Sequence, residues 1–436
     1  RVGSAARCNF CHPLAFVFGV SMVRAWAIVA AAFVLVPPLV SARSGQLELI
    51  KLADRHPAAV CNDGTSSGYY FRKASSAQGS KTWIVYLESG GWCWDSESCN
   101  ERCTNNRTRC SSEAWESTLE LDGIMSATND DLHDSLRTAN KVFVRYCTSD
   151  AHMGDSSAFG YQFRGHQVVQ AVLSDLIRLH GLGSAGGEKH FLLFGGGSAG
   201  ARGAMVHLDY VPSMLGNVEA AVDVVGFLDS PLWLDTEALN TTAFEGFLRQ
   251  TAKVHSFANV THLGARCAAT YAAEPWKCMF GEYRMPLLDS RYMVVASLQD
   301  AFQLVNLEDN RMDTQEGLEY MDRFENKSIA MLKGLAGPGR LVFGPACFSH
   351  AESLTDDGFF GHTAGDGRTQ SLALQSFLGL SGEANDSIVF IDGCQGFDCG
   401  GGCHREPDIY EVSAAFKRSF AQVLGATTLA SARLLA

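Results

Sequence analysis

The chain has 436 residues, 46% of them hydrophobic and 19% charged, with a formal net charge of -12 and a pI of about 5.5. That length and apolar content can bury a full core, in one large domain or two modest ones. The acidic balance leaves no basic face for phosphate backbones, which excludes nucleic acid as the expected partner.

The amino end reads as an address. From Met22 a short basic stretch, Met-Val-Arg, leads into the apolar run Ala25 to Val40, and Ser41-Ala42 precede Arg43. This is the order of a secretory signal peptide with a small-residue cleavage site, so maturation near Ala42 is expected. The rival is a signal anchor, because residues 25–42 are uncharged over 18 positions, about the minimum for a membrane span. Pro37 and Pro38 favour cleavage, and no stable membrane insertion is expected afterwards. Residues 1–21 open on Arg1 rather than methionine and are set aside as a mis-set start or a fragment. The reading is a leader over residues 1–42 and one catalytic domain over 43–436, secreted to the extracellular space or a cell wall.

Twelve cysteines follow the leader, from Cys61 to Cys403. An even number in a secreted chain argues for disulfides. Cys394, Cys399, Cys403 and His404 lie close together, but their spacing is not that of a paired CxxC zinc site, so no metal is expected. Sequons at Asn106, Asn240, Asn259, Asn326 and Asn385 fit the surface of a glycoprotein.

The first buried-strand pattern, Trp83 to Leu87, opens "WIVYLESGGWCW", where Gly90-Gly91 let the backbone approach a ligand closely. Val142 to Tyr146 is the second. Val168, Val169, Val172, Leu173, Leu176 and Ile177 then recur at helical spacing, closed by Gly181. Further strand runs are His190 to Phe194, Val222 to Leu228, Met293 to Leu298, Arg340 to Phe343 and Ile388 to Ile391, with a closing helix over Tyr410 to Leu424. Strands alternating with helices predict an α/β fold, its mostly parallel sheet covered on both faces. In such sheets chemistry gathers at the carboxyl ends of strands.

After His190 to Phe194 comes Gly196-Gly197-Ser198-Ala199-Gly200, a G-x-S-x-G in which a tight strand-to-helix turn exposes the serine hydroxyl. The same letters permit a dinucleotide site, because Gly195, Gly197 and Gly200 spell G-x-G-x-x-G, with Glu219 or Asp223 at a distance suited to a ribose contact. A mid-chain position and a disulfide-rich context argue against that reading. A glycine-rich turn with a surface serine is the plain alternative.

A serine hydroxyl needs a base and an orienting carboxylate. His207 lies nine residues along the serine's own helix, and His255 and His262 flank the Asn259 sequon, which points to a solvated loop. His362 and His404 come later. His350, in "GPACFSHAE" after Arg340 to Phe343, sits on a loop that Cys347 can anchor, and it is the candidate base. Asp300, directly after Met293 to Leu298, is the candidate acid; Asp229 competes, and either could simply cap a helix. With Asp300 the chain order is Ser, Asp, His, as in α/β-hydrolases. The oxyanion donors are then the amides of Gly91, Trp92 and Ala199, one such donor contributing roughly 3 kcal/mol to a transition state. Trp92 and Trp94 are read as substrate-pocket walls, against the plainer reading of core aromatics.

Taken together, "CNDGTSSGYYFRK" from Cys61, "YLESGGWCWDSESC" from Tyr86, "RYCTSD" from Arg145, "FRG" at Phe163, "GGSAGARGAM" around Ser198, "VVGFLDSPLWLD" from Val224, "LQDAFQL" around Asp300 and "ACFSHAE" around His350 resemble the pectin acetylesterase/Notum family. The resemblance covers Cys61 to His350. It implies a secreted α/β-hydrolase-like carboxylesterase, with nucleophile Ser198, acid Asp300, base His350, an oxyanion loop at Gly90-Gly91-Trp92, and bridges Cys61–Cys147 and Cys93–Cys99. Plant members act on acetylated pectin, whereas Notum removes a fatty acyl group from a signalling protein; "RYCTSD" and "GYYFRK" lean toward Notum. Two departures stand out: Ser89 interrupts the family's glycine run, and Ala201 and Arg202 replace a small pair after the nucleophile's glycine. The expected substrate is an acylated glycan, most simply acetylated pectin, with an acylated protein or non-catalytic acyl-ligand binding as alternatives, and no cofactor. An acidic enzyme is repelled by polyanionic pectin only modestly, because salt screens over about 8 Å, and a neutral acylated glycan fits as well.

Overall fold

Residues 45–184, 187–241, 244–308, 314–381, 387–394 and 396–403 are described by the computed structural model. In chain order the strands are β1 (Leu47–Lys51), β2 (Gly68–Arg72), β3 (Thr82–Leu87), β4 (Thr118–Leu119), β5 (Asn140–Val144), β6 (Ser156–Ala158), β7 (Tyr161–Phe163), β8 (His190–Gly197), β9 (Val222–Asp229), β10 (Tyr292–Val295), β11 (Arg340–Gly344), β12 (Thr363–Ala364), β13 (Arg368–Thr369) and β14 (Ser387–Ile391). Ten form one sheet in the order β4-β1-β2-β5-β3-β8-β9-β10-β11-β14. From β5 to β14 every pairing is parallel; β2–β5, β1–β2 and β1–β4 are antiparallel. β6–β7 and β12–β13 are separate two-stranded hairpins.

Residue type explains the layering. In β3 all six residues are buried, and alternate side chains enter opposite cores: Trp83, Val85 and Leu87 on one face, Ile84 and Tyr86 on the other. Helices Gly165–Arg178, Ala199–His207 and Gln315–Leu335 supply apolar residues to the first core, and Gln370–Phe377 supplies Ala373, Leu374 and Phe377 to the second. A sheet packed on both faces tolerates the continuous apolar runs seen in the sequence.

Each of the seven expected strand runs overlaps an observed strand, and the expected helix lies within Gly165–Arg178, with Gly181 at φ 83° just beyond it. The run from Met293 stops pairing as a strand at Val295. β1, β2 and β4 did not announce themselves, being short strands at one sheet edge, several of whose residues are only half-buried. The expected closing helix over Tyr410 to Leu424 lies outside the described residues.

Six disulfides pair the twelve cysteines from Cys61 to Cys403: Cys61–Cys147, Cys93–Cys99, Cys103–Cys110, Cys267–Cys278, Cys347–Cys403 and Cys394–Cys399. The first two are those the family resemblance implied, and the last two hold the cysteines weighed above as metal ligands. Among the described residues no helix is long and apolar enough to cross a membrane.

Candidate active site

β8 delivers Ser198 to the carboxyl edge of the sheet and the helix Ala199–His207 starts immediately after it. Ser198 has φ 51° and ψ -117°, a region non-glycine residues rarely occupy, at a cost of about 1–3 kcal/mol. The neighbouring glycines make the turn possible. A Cβ on Gly196 would lie 2.6 Å from the Leu87 carbonyl oxygen, and one on Gly200 would lie 2.0 Å from that same atom. Strand and helix therefore close on β3 only if both positions lack a side chain. The Ser198 amide donates to the Asp229 carbonyl at 2.8 Å, which fixes the turn from β9.

This geometry also disposes of a dinucleotide cradle. The space beside Gly195 and Gly200 is occupied by the carbonyls of Phe227 and Leu87. Asp223 pairs with Phe191 near the start of β8, whereas Gly197, next to the serine, pairs with Asp229 at the other end.

His350 and Asp300 meet Ser198. The imidazole Nε2 lies 2.7 Å from Ser198 Oγ, and Nδ1 lies 2.8 Å from Asp300 Oδ2. The imidazole and the Asp300 carboxylate are 3% and 4% exposed. An ionised carboxylate only accepts, so Nδ1 carries the proton toward Asp300 and Nε2 is left to accept from the serine hydroxyl. Asp300 also caps its helix, its Oδ1 accepting the Gln303 amide at 2.9 Å. The one carboxylate thus contacts the imidazole and caps the helix at once. Gln303 is itself pinned, donating to the Leu232 carbonyl and accepting from the Leu234 amide, each at 2.9 Å. Burial alone would lower the His350 pKa, but the charge and hydrogen bond of Asp300, with the charges of Asp229 and Glu352, hold it above its ordinary value.

Asp229, the competing acid, serves a different place. Its Oδ2 accepts the Ser353 amide at 2.9 Å and its Oδ1 the Ser230 hydroxyl at 3.1 Å, while Ser230 Oγ accepts the Ala351 amide at 2.9 Å. The end of β9 thus grips the turn of the serine with its backbone and the loop of His350 with its side chain. Between them lies a cavity of about 20 Å³, room for one water, lined in part by Asp229, Ser230, Ser349 and Gln370. Burial pushes the Asp229 pKa up, against hydrogen bonds from Ser353 that lower it.

The loop after β3 is held by its carbonyls. Arg109 donates to the Ser89 oxygen, Arg102 to Gly90 O at 2.7 Å and the Tyr146 hydroxyl to Gly91 O at 2.8 Å. In a trans peptide N–H and C=O point oppositely, so the Gly91 and Trp92 amides face away from these anchors. The amides of Gly91, Trp92 and Ala199 make no hydrogen bond to another described residue. Ser89, the departure from the glycine run, donates to Gly197 O at 2.9 Å and so ties this loop to the turn of Ser198. Arg102, Arg109 and Tyr146 escaped the sequence reading, since only the fold brings them here.

The remaining residues named from the sequence have the following surroundings. Trp92 is 5% exposed, its indole N–H donating to Gln250 at 3.2 Å, so its ring is packed inside an aromatic cluster; Trp94 is half-buried. His207 is fully buried and bonded to the His152 carbonyl at 2.8 Å. His255 corrects an expectation, lying in the helix Phe247–Ala258 rather than in a loop, while His262, half-buried on the loop after that helix, stacks on His166 with ring centres 4.0 Å apart. His362 is buried 3.4 Å from Glu352, and His404 lies outside the described residues.

A parallel sheet with a serine on the turn after one strand, and an acid and a histidine on the loops after two others, defines an α/β-hydrolase-like protein. The Pectinacetylesterase family model matches residues 40–404, and the chain belongs to that family, which also embraces the Notum proteins. The palmitoleoyl-protein carboxylesterase notum1a of Danio rerio is 29% identical over 304 residues, covering 67% of this chain and 58% of that protein. The palmitoleoyl-protein carboxylesterase NOTUM of Homo sapiens is 31% identical over 307 residues, covering 67% and 59%. The chain thus spans about three fifths of the length of these curated relatives. The solved structure of the Wnt deacylase Notum from Drosophila superposes with a TM-score of 0.73 at 27% identity, covering 82% of this chain and 99% of that one.

Proposed function

We propose that the chain is a secreted serine carboxylesterase that removes O-acyl groups, acetyl first among them, from a polysaccharide such as pectin. One observation carries this reading: Ser198 Oγ, the His350 imidazole and the Asp300 carboxylate form a continuous line of hydrogen bonds at 2.7 and 2.8 Å. His350, oriented by Asp300, takes the hydroxyl proton as Oγ attacks the ester carbonyl. The Gly91, Trp92 and Ala199 amides receive the negative charge that develops on the carbonyl oxygen. The alcohol leaves with the proton from His350, and water, activated by the same base, hydrolyses the acyl-serine. No cofactor enters. In this reading residues 1–42 are a leader removed on secretion and residues 43–436 are one catalytic domain.

The names of the relatives support a second reading, removal of a fatty acyl group from a protein. The test common to both is hydrolysis of p-nitrophenyl esters by the secreted protein and by Ser198→Ala. Loss of the nucleophile lowers kcat by at least roughly 10⁴-fold. Equal turnover by the two proteins rules out a serine esterase acting through Ser198, and turnover by neither leaves a non-catalytic, acyl-binding relative.

A further inference from the structure

Arg202 stands one helical turn past Ser198, its amide donating to the serine carbonyl at 3.0 Å. Its side chain is 1% exposed, and among the described residues no carboxylate lies within ion-pair distance of it. A buried cation without a counter-charge costs several kcal/mol, so something must offset it. The guanidinium carbon lies 3.9 Å from the centre of the Trp92 ring and 3.6 Å from that of Trp233, and Nη2 donates to the Met279 carbonyl at 3.1 Å. Two desolvated cation–π contacts and a hydrogen bond supply that offset.

The stack does not end there. Trp92 meets Trp233 edge-on at 5.2 Å, Trp233 lies against Phe302 at 5.7 Å, and Phe302 stacks on the His350 imidazole at 5.2 Å. Phe247 fills in behind, 4.5 Å from Trp233 and 5.4 Å from Phe302. A continuous wall of rings therefore runs from the loop carrying the oxyanion amides to the base, and Arg202, rooted in the nucleophile's own helix, plugs it. An acyl group on Ser198 starts from the point where the loop after β3, the helix Ala199–His207 and the loop of His350 converge. Trp92, Trp233, Phe247 and Phe302 are each at most 7% exposed, so the volume is already occupied by side chains.

We propose that Arg202, wedged between Trp92 and Trp233, closes the acyl side of the Ser198 site and restricts it to short acyl groups such as acetyl. The inference rests on the Ser198 esterase reading and chooses between its two substrate classes. A hydrophobic slot distinguishes about 10–200-fold per methylene, so an octanoyl chain that finds no room is strongly rejected.

The wild-type protein is assayed on p-nitrophenyl acetate, butyrate and octanoate. The expected kcat/KM falls at least a hundredfold from acetate to octanoate; an octanoate value within tenfold of acetate, or above it, overturns the proposal without any variant. Arg202→Ala opens the wall and raises the octanoate-to-acetate ratio at least tenfold, whereas Arg202→Met, which keeps most of the volume without the charge, holds it near the wild-type value. A folded Arg202→Ala with an unchanged ratio, or Arg202→Met matching it, overturns the steric argument. Should Arg202→Ala fail to fold, Trp233→Leu opens the same wall and carries the same expectation. Ser198→Ala run alongside separates the two failures, since activity that survives it strikes at the esterase reading itself.

Discussion

Replacing Asp300 by asparagine tests the site most sharply, because the surroundings dictate how the new amide must point. Asp300 Oδ1 accepts the Gln303 amide at 2.9 Å, so the asparagine carbonyl oxygen stays there and its NH₂ turns to His350 Nδ1. Nδ1 must then accept, the ring proton moves to Nε2, and that nitrogen, 2.7 Å from Ser198 Oγ, can no longer take the hydroxyl proton. The charge is lost as well. Two unit charges about 4 Å apart attract by about 4 kcal/mol at an effective dielectric of 20, and both groups are buried enough for that value to apply. The imidazolium formed during attack loses this stabilisation, worth about 10³-fold in rate, and the wrong tautomer adds to it. Asp300→Asn should therefore reduce kcat/KM on p-nitrophenyl acetate by 10³ to 10⁴-fold, with kcat carrying the loss. The assay is steady-state kinetics from pH 5 to 9, paired with a melting curve to show the variant is folded. A folded Asp300→Asn within tenfold of wild type would refute the assignment of Asp300 as the orienting acid.

Two further outcomes follow from buried charge. Because Asp300, Asp229 and Glu352 outweigh desolvation and hold His350 above 6.5, the acid limb of kcat/KM should have its midpoint above that value. The sign for stability is opposite: a raised histidine stabilises the fold fully below 6.5, and that contribution fades as pH rises through its folded pKa. Asp229→Asn removes one of the three negative charges, so the midpoint should move down, and an unmoved midpoint counts against any electrostatic link between Asp229 and the base. Glu308 is fully buried, neither carboxyl oxygen has a hydrogen-bond partner among the described residues, and burial pushes its pKa up to about 8. The folded state thus keeps a proton that the unfolded chain releases near 4.5, and stability of about 5 kcal/mol drains away between those pH values. Glu308→Gln should raise the melting temperature at pH 8 and leave it nearly unchanged at pH 4.5; equal shifts at both pH values contradict this account.

Much of the architecture was legible because it rests on local signals. Parallel strands covered on both faces must be apolar throughout, and Trp83 to Leu87, His190 to Phe194 and Val222 to Leu228 advertise themselves for that reason. The serine turn was legible for a steric reason, since the close contacts beside Gly196 and Gly200 admit no side chain. The short strands β1, β2 and β4 at one end of the sheet carry no such long apolar run, and their pairing is decided by partners far away in sequence.

By itself the chain order determined that a serine, an acid and a histidine follow, in that order, strands of one sheet, and that its cysteines pair. It could not decide between Asp300 and Asp229, because both end strands and both suit a helix cap; only the tertiary structure put the carboxylate of one against His350 and that of the other against the backbone of Ser353. It could not say that Trp92 is packed rather than open, or that Arg202 is buried against it. Periodicity and turn chemistry are written in neighbouring residues, whereas the direction of a buried side chain is settled by groups fifty or more positions away, which meet only when the sheet has formed.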